Sequence, residues 1–159
     1  MMKRRCTLLL LGVALLAPGC DSFPKDPRHT LDRVRNGTLR VGYSENRPWV
    51  TKSGNAPGGT EAELVKRFAQ SLQAKIEWHN DTEQNLFERL EKNEIHLVIA
   101  GLTDETPWKD KIGMTCPYRK EGKEKHVMAV APGENGFLVA LETFLQQYPV
   151  TPRRAHENP

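Results

Sequence analysis

Hydrophobic positions change their period along this chain, and each change marks an element. Residues 38–43, TLRVGY, are β-rich between turn formers and predict a strand. In EAELVKRFAQSLQ, residues 61–73, Leu64, Phe68 and Leu72 recur every fourth position and Val65 widens the stripe. That spacing predicts an amphipathic helix, with Thr60 as its cap. AKIEWH, residues 74–79, alternates like a strand that half-buries Ile76 and Trp78. EQNLFERLEKN, residues 83–93, places Leu86, Phe87 and Leu90 on one side of a helix capped by Asp81 or Thr82. IHLVIAG, residues 95–101, is nearly all apolar, which predicts a strand covered on both faces. Strand, helix, strand, helix, strand is the unit of a parallel sheet. The predicted class is therefore α/β, a three-layer sandwich with a mostly parallel sheet.

Shorter signals flank this unit. Thr30 caps a short helix in LDRVRN, and Gly37 is expected to end it in a left-handed turn. GMTCPY and HVMAVA, residues 113–118 and 126–131, read as strands. A last helix, opened by Pro132 and Gly133, carries Phe137, Leu138, Leu141, Phe144 and Leu145. One folded lobe is expected over residues 30–147. Residues 148–159 are polar and Pro-rich, and a disordered tail is expected there.

The first residues change the picture of location. Lys3, Arg4 and Arg5 precede ten apolar residues at 8–17, too few for the ~20 that a spanning helix needs. Charge, apolar run and then small residues are the pattern of an export signal. LLAPGC, residues 15–20, resembles the lipobox of bacterial lipoproteins, with Ala17 in the place usually held by Leu. That resemblance implies a signal peptide over 1–19, a lipid on Cys20 and a lipid-anchored linker over 20–29. Asp21 resembles the residue that retains such proteins at the inner membrane. The implied location is the periplasmic face of that membrane, or the cell surface where there is no outer membrane. An ordinary secretory signal or a buried N-terminal helix is the alternative.

Charge follows the same division. The chain has 23 Lys and Arg against 20 Asp and Glu, and three of the bases lie in the signal, so the remainder is formally neutral. No concentrated basic face points to nucleic acid. Cys116 is the one cysteine left after Cys6 and Cys20, and it is read as a small, partly buried apolar residue.

Four segments in order carry a family resemblance: LRVGYSENRPW, GGTEAELVKRFAQSL, LEKNEIHLVIAGLT and CPYRKEG. Together they resemble the bacterial extracellular solute-binding proteins of family 3, receptors that serve amino-acid importers. Carbohydrate-lysing relatives that carry such a domain at their N-terminus are similar over the same stretch. The resemblance implies one lobe of a type II periplasmic-binding-protein fold, a small-molecule solute, and a transporter permease or a second copy as partner. Two departures accompany it. The family places a carboxylate-clamping Arg five residues after the Thr of GLT, where this chain has Trp108; Lys109 or Lys111 is the alternative source of charge. The chain also runs from CPY almost directly to the returning C-terminal segment, so the second lobe is expected to be absent from between them.

The candidate ligand-binding residues are Glu45, Trp49, Thr103 and Trp108. Trp49 follows a parallel strand, near the end where α/β sheets bind ligands, and either stacks on a solute or anchors its loop. Trp108 is expected at a cleft. Thr103 offers a hydroxyl, although turn formation explains it nearly as well. Glu61 is read first as a partner of the helix dipole and second as a ligand contact. Tyr118 and Trp78 are expected to pack. His29, His79, His96, His126 and His156 show no metal spacing, and no nucleophile–base pair, phosphate loop or cofactor motif is evident. The expected function is solute binding or an accessory role in an ABC-type transporter, without catalysis or cofactor. The alternative is a protein-interaction or sensory module of the same fold.

Overall fold

The computed structural model describes residues 25–148; the predicted signal, Cys20 and residues 149–159 lie outside them. In chain order the elements are α1 (Thr30–Val34), β1 (Thr38–Tyr43), α2 (Thr60–Ser71), β2 (Lys75–Asn80), α3 (Glu83–Glu91), β3 (Leu97–Ile99), β4 (Gly113–Met114), β5 (Arg119–Glu121), β6 (Glu124–His126), β7 (Ala129–Val130) and α4 (Asn135–Gln147).

The central sheet has the order β2-β1-β3-β7-β4. β1 pairs in parallel with β2 and β3, while β7 runs antiparallel to both β3 and β4. Four strands thus share one direction and β7 opposes them, which makes this a mostly parallel α/β sheet. Alternation along the strands builds two cores. Leu39, Val41, Tyr43, Leu97 and Ile99 face one side, under α1, α2 and α4, with Phe68, Phe137 and Phe144 packed among them. Val98, Ala100 and Ala129 face the other, under Leu86, Phe87 and Leu90 of α3. Gly42 permits that second contact, since a Cβ there would lie 2.6 Å from Leu86 Cδ2 and 2.7 Å from Ile95 Cδ1.

Local chemistry differs from expectation at several ends. Thr82 does cap α3, its hydroxyl accepting from Asn85 N at 3.4 Å. Thr30 and Thr60 are instead the first helical residues, after His29 and Gly59. The left-handed residue after α1 is Asn36, with φ +57°, and Gly37 is needed because a Cβ would collide with Arg33 O. Pro132 and Gly133 precede α4, whose N-cap is Glu134. The Glu134 carboxylate receives Arg28 N and Thr30 N, which docks the end of the linker onto α4. Cys116 is exposed rather than partly buried.

The largest addition is a hairpin. β5 and β6 pair antiparallel, Arg119 opposite His126, around a two-residue loop whose Gly122 has φ +59°. Glycine with positive φ at the first loop position suits the twist of a tight hairpin. HVMAVA is therefore divided: His126 closes the hairpin and Ala129 begins β7. The hairpin stands where the chain passes from Pro117 to the returning strand, the place at which a second lobe was expected to be missing.

Candidate functional site

β1 and β3 end side by side, Ser44 N donating to Ile99 O at 3.2 Å. The loops that follow them form the rim where open α/β sheets take ligands. Asn46 ties the loops together, its Nδ2 donating to Ala100 O at 2.8 Å. Gly101 has φ +62°, and a Cβ there would lie 2.7 Å from Trp49 Cδ1 and 2.8 Å from Asn46 Nδ2. Glycine therefore meets both demands of this turn, the left-handed backbone and the close approach of the indole.

Beneath the rim sits Glu61. It lies in the first turn of α2, as a dipole partner would, yet it has no exposed surface. Its Oε2 accepts from Gly101 N at 2.9 Å and its Oε1 from the Tyr118 hydroxyl at 2.6 Å. Burial pushes the carboxyl up to about 7, against the opposing pull of the Tyr118, Gly101 and Ala100 hydrogen bonds. Burial, then the neighbouring Glu61 charge, pushes the Tyr118 phenol far above its ordinary value, so Tyr118 keeps its proton and donates.

Trp49 lies above this pair with 6% of its surface exposed. Its ring packs against His126, centroids 3.9 Å apart and planes at 32°, and meets Tyr118 edge-on at 6.3 Å. The Arg119 guanidinium lies 5.1 Å from the indole centroid and pairs with the Glu121 carboxylate. Because Arg119 and His126 are opposite one another in the hairpin, their side chains share the face that covers Trp49. His126 is 2% exposed, and neither of its ring nitrogens has a hydrogen-bond partner among the described residues. Its Nε2 lies 3.8 Å from Glu124 Oε2.

Beside the hairpin opens a cleft of about 190 Å³ lined by Thr103, Asp104, Glu105, Lys123 and Glu124. Lys125 crosses to Asp104 at 3.0 Å. The three carboxylates of the lining face Lys123 and the Lys125 that pairs with Asp104, so the wall keeps an excess of one negative charge.

The candidate residues named from sequence are thus only partly gathered. Thr103 lines the cleft and bridges to His126. Trp49 lies behind the hairpin. Glu45 is exposed on the loop after β1, where hydrogen bonds from Lys52 N and then Arg47 Nε hold its carboxyl below the usual range. Trp108 is elsewhere. It packs half-buried on Phe87, centroids 5.2 Å apart, in the core on the opposite face of the sheet from Trp49, and Lys111 lies over it at 5.4 Å. Trp49 and Trp108 share no face. Sequence reasoning missed the inward carboxylate of Glu61 and the roles of Tyr118, Arg119 and His126. The Glu-Gly-Lys-Glu turn at 121–124 was the signal that could have revealed the hairpin.

The sequence model of the bacterial extracellular solute-binding proteins, family 3, matches residues 39–148. The chain belongs to that family. Among curated relatives it is 31% identical over 98 residues to a protein of Aliivibrio fischeri and 36% identical over 102 residues to one of Photobacterium profundum, both named membrane-bound lytic murein transglycosylase F. These matches cover 60% and 63% of this chain, and it spans about a fifth of the relatives' length, 20% in each case. Among solved structures it is similar to the arginine-bound form of domain 1 from TmArgBP, at 23% identity and a TM-score of 0.66. That match covers 73% of this chain and 97% of the other, so the described lobe has the fold of one domain of an amino-acid-binding protein.

Proposed function

We propose that this chain is a non-catalytic solute-binding lobe that takes a small cationic solute at the acidic cleft beside Thr103. The observation that carries this reading is the cleft itself: Asp104, Glu105 and Glu124 line it at the strand ends where this fold binds ligands. A carboxylate wall attracts an amine or guanidinium and repels an anion. The cleft lining points the same way, since it includes no arginine whose fork would fix a ligand carboxylate. The arginine-bound domain 1 that shares the fold is likewise a single domain. On this reading Cys20 carries the lipid that holds the lobe at the periplasmic face of the inner membrane, and a transporter permease or a second copy covers the rim.

A second reading has one observation in its favour. The aromatic that would stack on a solute, Trp49, is already covered by the hairpin. The same rim would then meet a protein, as in a sensory or envelope-enzyme module. A thermal-shift screen of the full chain in detergent separates the two. A ligand at about 100 times its dissociation constant adds about 2.7 kcal/mol, a rise of several degrees in Tm. Arginine, lysine and polyamines are expected to give that rise and glutamate is not. A folded protein with no response to any cation contradicts the solute reading, and partner capture from membranes becomes the next experiment.

A further inference from the structure

We propose that Arg119 is a tethered stand-in for a cationic ligand: the Trp49 face is a second cation-binding subsite, beside the acidic cleft, which the hairpin fills with the chain's own guanidinium. This inference rests on the cationic-solute reading and extends it to a subsite with its own occupant.

The arrangement over Trp49 has the parts of such a subsite. The guanidinium sits 5.1 Å from the indole centroid, the attractive position of a cation over an electron-rich ring. Glu121 supplies the countercharge. His126, 2% exposed and packed on the same ring, has two ring nitrogens without hydrogen-bond partners among the described residues. Buried polar groups are normally paired, so an unpaired imidazole at this point marks a place where an incoming polar group finds a partner. The Arg119 side chain itself is only 16% exposed, which shows that the indole face is enclosed and not merely brushed by a surface residue.

The hairpin that carries Arg119 is short and exposed beyond its base. Each strand of the hairpin has three residues, and Lys120, Glu121, Gly122, Lys123, Glu124 and Lys125 are all exposed. Two strands of that length have little stability of their own. Backbone bonds tie it to the body near its base, from Val127 N to Leu102 O and from Asp104 N to Lys125 O, at 2.9 and 3.0 Å. Arg119 and His126 form the pair at that base, so the indole face is uncovered by the Arg119 side chain swinging off the ring while the hairpin backbone stays in place. Because Arg119 is tethered, it competes at an effective concentration in the millimolar range, and the apparent dissociation constant of a free ligand rises by the reciprocal of the fraction of molecules whose indole face is uncovered.

Isothermal titration of the full chain with L-arginine, and with L-citrulline as its uncharged counterpart, tests this. Arg119→Ala is expected to bind L-arginine on the order of tenfold more tightly than the unmodified chain, with no gain for L-citrulline. Glu121→Gln, which keeps Arg119 but removes its countercharge, is expected to give a smaller gain in the same direction and leaves the test standing if Arg119→Ala does not fold. Unchanged L-arginine affinity in both variants overturns the stand-in and leaves the solute reading intact. An equal gain for L-citrulline shows a vacated hole, not a cation subsite, and also overturns it. Absence of binding to every form overturns both readings together.

Discussion

Trp49 and Trp108 occupy matching places in the chain, each in a loop that follows a parallel strand, and the fold treats them in opposite ways. Trp49 turns inward over Glu61 and Gly101 and is enclosed by His126, Tyr118 and Arg119. Trp108 lies half-buried on Phe87, on the other side of the sheet, with a lysine above it. The difference lies in what each loop must cross. The loop after β1 lies across the C-terminal end of β3, over the buried Glu61, whereas the part of the loop after β3 that carries Trp108 packs on the apolar Phe87 of α3. An aromatic after a strand therefore becomes part of a site only when the neighbouring strand ends supply polar groups beneath it.

The largest expected contrast is in stability. Trp49→Ala removes an enclosed indole from a polar nest, and a loss of about 3–5 kcal/mol is expected by chemical denaturation. A loss below about 1 kcal/mol would show that Trp49 is not the anchor of the rim.

The pH dependence of stability comes next. Below about pH 4.5 the Glu61 carboxyl is protonated in both the folded and the unfolded chain. Between 4.5 and about 7 the unfolded chain loses this proton while the folded chain keeps it, so stability falls as pH rises. The full loss corresponds to about 3 kcal/mol, reached above pH 7. Denaturation at pH 5 and pH 8 is expected to show this fall, and Glu61→Gln is expected to remove it. A Glu61→Gln variant that keeps the same slope would assign the slope to other groups.

Gly101→Ala is expected to cost about 1–3 kcal/mol, because the positive φ and the contacts with Trp49 and Asn46 both oppose a Cβ. The smallest effect belongs to the other region. Trp108→Ala is expected to cost about 1–2 kcal/mol, since its ring is only partly enclosed, and to leave solute binding unchanged.

The parallel unit was legible in the sequence because its signals are local. Leu64, Phe68 and Leu72 report a helix through their spacing, and residues 95–101 report a covered strand through their continuity. The site was less legible because its bonds are long-range. Glu61 meets Gly101 across 40 positions and Tyr118 across 57, so a first-turn acid with an inward role looks the same in sequence as one that only faces the helix dipole. The hairpin was hidden for another reason. Its strands are almost wholly charged and lack the alternation that a half-buried strand shows, and only Gly122 marked the turn. At Asn36 a polar residue adopts the left-handed turn assigned to Gly37, which asparagine tolerates because its side chain is short and polar.

The most direct test of the central claim is a nitrogen-15 NMR titration of the full chain in detergent with L-arginine. The account predicts that the amides of Thr103, Asp104, Lys123 and Glu124 shift together and saturably, while those around Trp108 and Phe87 stay still. Shifts confined to the Trp108 side of the sheet, or none at concentrations that saturate amino-acid receptors, would contradict it.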